Sequence, residues 1–446
     1  MNFQDFKFKN FINQTLAAIK FEAPTPTQEK LIPPILAGRD LIGEAVTGSG
    51  KTHAFLLPIM QRLDTSKAEV QAVIVAPSRE LATQIFKAAQ EFAKFDTEMT
   101  LSNLVGGTDK ARQLEKLQHA QPQIVIGTPG RVLDMISSQA LDVHTAETFV
   151  VDEADMTLDM GFLKDVDKIA SSFGKKVQML VFSATIPQKL QPFLKKYLHH
   201  PVQEQIRSQL LVPENIENWL ISANHRKSEV TLNLLKTLNP YLALVFVNTK
   251  AQADKLHAFL TAEGLKVAKI HGDIEARERK RTMERINKLE YQYVVATDLA
   301  ARGIDIEGVS HVINVEIPSD LTFFIHRIGR TGRAGLSGTT ITLYEPSDQA
   351  ALQELEKMGL KFLPKAVKNG EIVDSYDRDR REKRKPAKQE ISSTARGMLA
   401  KGKKHVKPGY KRAVKWVMAE ENKKKRRTEQ NKKARSKRNA RRDSNK

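Results

Sequence analysis

The chain contains no cysteine among its 446 residues. That excludes a disulfide scaffold, a thiolate metal site and a cysteine nucleophile, and it fits a reducing compartment. Long apolar runs are missing as well: none approaches the ~20 residues needed to span a bilayer. The opening stretch, MNFQDFKFKNF, alternates aromatic and polar residues and lacks the apolar core of a secretory signal. A soluble, cytoplasmic protein is the expectation. Aromatic residues make up only 6% of the chain. No motif interleaves them in the way that base-stacking readers of nucleic acid do.

The first 364 residues also lack net charge. The whole chain carries 72 Lys and Arg against 52 Asp and Glu, a formal charge of +20. Residues 365–446 hold 30 of those basic residues and 10 of the acidic ones, which leaves 42 of each sign in residues 1–364. The entire excess lies at the C-terminal end. From Asp374 onward aromatics nearly vanish, and runs such as Arg378–Lys385 and Lys423–Arg427 dominate. Such a composition buries too little apolar surface to offset the entropy of folding. It predicts a largely disordered basic tail, with a short helix around Tyr410–Asn422 that carries Trp416.

A length of 446 residues predicts two or three domains. Short β-branched runs punctuate the neutral part: Ala72–Ala76, Ile124–Gly127, Phe149–Asp152 and Met179–Ser183, then Leu242–Val247, Tyr293–Thr297 and His311–Val315. Most are continuously apolar rather than alternating, as strands buried on both faces of a parallel sheet are. Stretches with helical spacing, such as Glu80–Phe95 and Ala251–Glu263, separate them. This alternation predicts α/β doubly wound parallel sheets. The strand series restarts after a stretch, 201–217, that is bracketed by Pro201 and Pro213 and has no clear period. The expected division is a first domain over 1–205, a linker at 206–216, a second domain over 217–363 and the basic tail at 364–446.

AVTGSGKT at 45–52 follows the apolar Asp40–Gly43 and opens the helical stretch His53–Leu63. A Gly-rich turn between strand and helix aims backbone N–H groups at phosphate, and the helix N-terminus adds positive potential. In that frame Ala45, Val46, Thr47, Gly48, Ser49 and Gly50 form the cradle. Lys51 reaches the terminal phosphates and Thr52 ligates Mg²⁺. A Gly/Ser turn that happens to hold a lysine would lack the strand before and the helix after. VDEAD at 151–155 sits at the end of a predicted strand, where doubly wound sheets place ligands. Alone, such a cluster would read as a solvated loop or a cap. Beside a phosphate loop, Asp152 becomes a Mg²⁺ partner through water, and Glu153 a group that orients and deprotonates attacking water. HRIGRTGR at 326–333 packs three arginines around two glycines, which weaken a helix and suggest a shaped loop. Arg330 and Arg333, with Arg327 as a third, are candidates to neutralise charge on a transferring phosphoryl group.

With these motifs in order, residues 3–362 resemble the DEAD-box RNA helicases, in the bacterial, cold-shock-type form with a basic C-terminal extension. The resemblance implies two tandem RecA-like domains, ATP and Mg²⁺ as cofactors, and RNA as partner. FEAPTPTQ at 21–28 resembles the family's adenine-reading segment, with Gln28 bonding the base edge, Phe21 stacking on it and Phe3 as the upstream aromatic. Thr27 and Lys20 depart from the family's usual Ile and Gly without touching these contacts. Ala45 matches the family's own form of the phosphate loop. PSREL at 77–81, Gly106–Gly107 and TPGR at 128–131 resemble its RNA-facing motifs, which implies Arg79, Gly107, Thr128 and Arg131 as backbone contacts. SAT at 183–185 resembles the coupling element, with Ser183 and Thr185 bonding Asp155.

In the second domain FVNTK at 246–250, HGD at 271–273 and ATDLAARGIDI at 296–306 resemble further motifs. They imply Thr249 and Thr297 on RNA, Asp305 on ribose, and Arg302 and His326 in coupling. Ala276 stands where the family often has Gln, with Arg279 as its companion, so one inter-domain or RNA contact is left open. Phe324 replaces a common Tyr. The expected activity is RNA-dependent ATP hydrolysis that unwinds or remodels RNA locally. An ATP-gated RNA clamp or annealing chaperone needs the same motifs, and a DNA translocase is a third reading. The tail is expected to bind RNA through counterion release, with simple solubilisation as its alternative. Resemblance to bacterial members implies ribosome assembly, RNA turnover and cold adaptation as class expectations.

Overall fold

The computed structural model describes residues 2–45, 48–174, 176–206, 215–223, 225–298, 306, 308–332, 336–368 and 370–375, together with 416, 420 and 423. Residues 1–375 form one compact unit that contains two sheets.

The first sheet is parallel throughout. Its strands are β1 (Leu41–Ala45), β2 (Ala72–Val75), β3 (Leu101–Leu104), β4 (Ile124–Gly127), β5 (Thr148–Val151), β6 (Gln178–Ser183) and β7 (Val202–Ile206), in the order β3-β4-β2-β5-β6-β1-β7. Every residue of β2, β4, β5 and β6 is buried, which is why their sequences are apolar apart from Thr148, Gln178 and Ser183 at strand ends. Alternate residues feed two cores. Ile74, Val150 and Leu180 pack with Phe55 and Phe92 on one face, and Val73, Phe149 and Val181 pack with Val132 and Val166 on the other. Helices cover both faces, as a doubly wound sheet requires.

The second sheet contains β8 (Ile216–Ser222), β9 (Ala243–Val247), β10 (Val267–Ile270), β11 (Tyr293–Thr297), β12 (His311–Asn314), β13 (Gly338–Tyr344), β14 (Leu363–Lys368) and β15 (Glu371–Asp374). Their order is β10-β11-β9-β12-β13-β8-β14-β15, parallel except for the antiparallel pair β14–β15.

Two expected boundaries are corrected. The first domain, expected to end at 205, runs through Ile206, the last residue of a strand. Val202–Ile206 pairs in parallel with β1, Leu41 opposite Val202 through Ala45 opposite Ile206. This edge strand is half exposed in alternation, so it needs no continuous apolar run and gives a weak sequence signal. Residues 207–214 of the expected linker lie outside the described residues.

The tail, too, does not begin at 364. Leu363–Lys368 and Glu371–Asp374 form a hairpin on β8, with Gly370 at φ 78° in the turn. Asn-Gly flanked by alternating residues is a hairpin signal in its own right, here hidden among lysines. The Lys365 ammonium pairs with Asp374 at 2.6 Å and lies 5.7 Å from the centre of the Trp219 ring. Beyond Ser375 a second unit, Tyr376–Lys446, is described only at Trp416, Glu420 and Lys423, which are helical and exposed. The rest of the expected tail, including its disorder, lies outside the described residues. Among the described residues no helix is long and apolar enough to cross a membrane.

The topology sorts the motifs. In the first sheet the phosphate loop follows β1, the acidic cluster follows β5 and SAT ends β6, three adjacent strands. PSREL, Gly106–Gly107 and TPGR follow β2, β3 and β4, the adjacent other half of the same sheet. All sit at the carboxyl edge, where open parallel sheets bind ligands.

Candidate active site

The turn from β1 into the helix Lys51–Arg62 passes through Gly48 at φ 80° and Gly50 at φ 95°. A Cβ on Gly50 would lie 2.8 Å from Thr25 Oγ1 and 2.9 Å from Gln28 Nε2, so both backbone angle and space demand glycine. The Lys51 ammonium is buried. It donates to the Ala45 carbonyl at 2.8 Å and to Glu153 Oε1 at 3.1 Å. Burial pulls its pKa down, but Glu153, Asp152 and Asp155 outweigh that and hold it above the usual lysine value. Ser49 Oγ is buried without a partner, a polar atom left for a ligand at the cradle. Thr52 follows, partly buried. Val46 and Thr47 lie outside the described residues.

At the end of β5, Asp152, Glu153 and Asp155 are all buried. Glu153 adopts the left-handed conformation, φ 47° and ψ 57°, at the start of the helix Ala154–Asp159. A non-glycine residue there stores strain, a mark of functional sites. The Glu153 N–H donates to Asp152 Oδ1 at 3.0 Å. Burial and the neighbouring Glu153 carboxylate push the Asp152 pKa up to about 7, against the attraction of Lys51. This pocket is short of positive charge and would gain from a further cation.

Asp155 is the hub of a second set of bonds. Its N–H donates to Ser183 Oγ at 3.0 Å, and Ser183 Oγ donates to the Thr185 carbonyl at 2.6 Å. Thr185 returns two bonds, from N and from Oγ1, each 3.2 Å from Asp155 Oδ2. From the second sheet domain His326 Nε2 stands 3.8 Å from the same oxygen.

On the base side, Thr25 caps the helix Pro26–Leu36 and shares a reciprocal capping box with Gln28. Gln28 is buried; its Oε1 accepts from Thr25 N at 2.9 Å and its Nε2 donates to the Gly50 carbonyl at 3.3 Å. One amide donor and one acceptor position remain, the pair that an adenine N7 and N6 edge calls for. Thr25 Oγ1 donates to the Ser49 carbonyl at 2.9 Å, so the base-side segment and the phosphate loop are one bonded structure. Phe21 is partly exposed, and its ring centre lies 4.7 Å from that of His53.

The arginines divide. Arg327 is not available for phosphate. Its five N–H donors are all taken: Nε and Nη2 by the two Asp298 oxygens at 2.5 and 2.7 Å, Nη2 also by Asn248 Oδ1 at 2.9 Å, and Nη1 by the Glu316 carbonyl at 2.6 Å and Asn314 Oδ1 at 3.3 Å. It is an internal staple of the second domain, stacked 5.1 Å from the centre of the Phe246 ring. Arg330 is buried, with its Nε 3.3 Å from the His326 carbonyl, one helical turn from the residue that approaches Asp155. Arg302, Asp305 and Arg333 lie outside the described residues.

Along the other half of the edge, Arg79 and Gly107 are exposed, Thr128 and Arg131 partly so, and Thr249 is exposed as the cap of the helix Lys250–Ala262. The Arg79 guanidinium lies against Gly106, where a Cβ would come within 3.0 Å of Nη2. Arg131 Nη1 donates to Gln113 Oε1 at 2.5 Å. Thr297 is buried at the end of β11 and offers the least surface of the six. Sequence reasoning left Arg279 unassigned. Its Nε pairs with Glu80 Oε1 at 2.5 Å, across the two sheet domains. His53, in ring contact with both Phe21 and Phe92, was not singled out by sequence, because ring contacts leave no mark in spacing.

Residues 25–193 match the DEAD/DEAH box helicase family, and residues 226–335 match the helicase conserved C-terminal domain. A DEAD-box ATP-dependent RNA helicase CshB of Listeria monocytogenes is 52% identical over 94% of this chain and 96% of its own length. The CshB of Bacillus subtilis is 48% identical over 97% of this chain and 98% of its own. Among solved structures, Saccharomyces cerevisiae Dbp5 bound to RNA and ADP BeF3 superposes with a TM-score of 0.75 at 29% identity, covering 82% of this chain and 95% of that one.

Proposed function

The chain belongs to the DEAD-box ATP-dependent RNA helicase family, and on that premise we propose that it spends RNA-stimulated ATP hydrolysis on local unwinding or remodelling of RNA duplexes and RNA–protein complexes. The observation that carries the reading is the meeting of Lys51, Asp152 and Glu153 with a bonded Asp155–Ser183–Thr185 element that also faces His326 of the other domain.

Lys51 would leave Glu153 for the terminal phosphates, freeing Glu153 to orient and deprotonate the attacking water. Arg330, with Arg333, would neutralise charge on the transferring group. Asp152 and Thr52 supply oxygen ligands of the kind Mg²⁺ takes, and the raised Asp152 pKa marks a pocket that favours a cation. That ion would offset phosphate charge. Phe21 and Gln28 would hold adenine, and Asp305 the ribose.

Arg79, Gly107, Thr128, Arg131, Thr249 and Thr297 would follow the RNA backbone, with weak sequence choice because phosphate contacts carry none. Arg302, Asp155 and His326 would tie nucleotide state to closure. The cytoplasm is the location we propose, with ribosomal precursors or RNA-decay assemblies as the substrates.

A clamp or annealing chaperone would use the same residues. A strand-displacement assay on a short RNA duplex, run beside an annealing assay, decides. ATP-dependent displacement faster than annealing supports the helicase reading, and annealing alone would replace it.

A further inference from the structure

We propose that His53 is a positioning residue for the nucleotide base: its imidazole is the fixed support that holds the Phe21 ring as a platform for adenine. The proposal rests on the assignment of Phe21 as the stacking ring.

Phe21 lies in the irregular segment after the helix Asn10–Ala18, anchored through its N–H to the Leu16 carbonyl at 2.9 Å, and the residue is 37% exposed. Its ring meets the His53 ring at 4.7 Å between centres and a 59° tilt. His53 in turn meets Phe92 at 6.4 Å and 45°. Phe92 is fully buried near the end of the helix Arg79–Ala93, within the first domain's core. Three rings therefore run in series from a rigid core to an exposed aromatic. Tilted rings at these spacings attract beyond their area burial. A lone exposed phenylalanine would have to be ordered each time a base bound, and pre-ordering it removes that entropic cost.

The location sharpens the argument. His53 directly follows Lys51 and Thr52 in the helix Lys51–Arg62. One helical turn thus carries the phosphate-reaching ammonium and the support for the base platform. Fixing their separation would fix the span between base and terminal phosphate. An alanine at 53 would leave a ring-sized gap into which Phe21 could fold, while Lys51 would keep its bonds to Ala45 and Glu153.

The test is steady-state ATPase at saturating RNA in the full-length chain, with His53→Ala, His53→Phe, Phe21→Ala and the double alanine variant. The expected result is a five- to tenfold rise in KM for ATP in each single alanine variant, with kcat within twofold of wild type. His53→Phe should return KM to within twofold. The double variant should be no worse than Phe21→Ala, because both remove one platform. Inhibition by inorganic tripolyphosphate, which has no base, should be unchanged in His53→Ala; a general distortion of the phosphate loop would weaken it. A wild-type KM in His53→Ala beside a raised one in Phe21→Ala would overturn the proposal and leave the stack standing. A wild-type KM in Phe21→Ala would remove the stack, and the proposal with it.

Discussion

The Arg279 guanidinium meets the Glu80 carboxylate at 2.5 Å, Nε to Oε1, and so ties the helix after β10 to the helix after β2. Glu80 directly follows Arg79, one of the residues proposed to follow the RNA backbone, so that proposed contact and the inter-domain pair share one helical turn. The pair is largely buried, with side chains 17% and 23% exposed, and loss of either partner leaves a charge in a partly dry interface. Glu80→Gln and Arg279→Gln should each raise the RNA concentration for half-maximal ATPase about fivefold, equivalent to roughly 1 kcal/mol. The double variant should match the singles. RNA titrations of ATPase check this, and additive losses would contradict it.

Arg327 and Arg330 should separate stability from catalysis. Removing the fully buried Arg327 strands Asp298, whose side chain is only 15% exposed, a change at the low end of the about 3–5 kcal/mol that breaking a buried pair costs. Thermal unfolding should show Arg327→Ala markedly destabilised. Arg330→Ala should unfold within a few degrees of wild type yet lose ATPase by about a thousandfold, the scale of an arginine finger.

His53 should also imprint the pH dependence of stability. Burial lowers its pKa from 6.5 to about 4 in the folded chain. Between those values the unfolded chain binds a proton that the folded chain refuses. The stabilisation is therefore complete above about pH 6.5 and is lost as pH falls toward 4. By pH 5 the loss should reach at most about 2 kcal/mol. Denaturant unfolding at pH 7.5 and pH 5 checks this: His53→Gln should lose less stability than wild type over that interval.

Much of this was legible beforehand. β2, β4, β5 and β11 announced themselves because strands buried on both faces read as near-continuous apolar runs. Lys51 and Glu153 were singled out because phosphate chemistry fixes residue type and spacing, whereas the Asp155–Ser183–Thr185 set was expected from the family resemblance alone, and the structure bonds it. The misses share a cause. Val202–Ile206 and Leu363–Lys368 bury only part of their side chains, so no continuous apolar run marks them. Arg327 looked like its neighbours in HRIGRTGR; only Asn248, Asp298, Asn314 and Glu316, up to 79 residues away, show that its donors are spent. The Arg279–Glu80 pair likewise spans both domains and has no local signal.

The basic segment beyond Ser375 should contribute affinity without sequence choice. Truncation there, rather than at 364, keeps the β14–β15 hairpin intact. RNA binding by the truncated chain should be weaker and its logarithmic salt dependence shallower, because fewer counterions are released. Binding curves across a salt series check it; superimposable slopes for the two chains would leave solubilisation as the segment's role.

The central claim is that hydrolysis needs RNA, because closure must bring the second domain's arginine to Lys51, Asp152 and Glu153. ATPase of the full-length chain with and without RNA, beside Glu153→Gln, tests it most directly. The account predicts at least tenfold stimulation in wild type, and a hundredfold or greater loss of turnover in Glu153→Gln with ATP and RNA binding retained. Equal wild-type rates with and without RNA would contradict it.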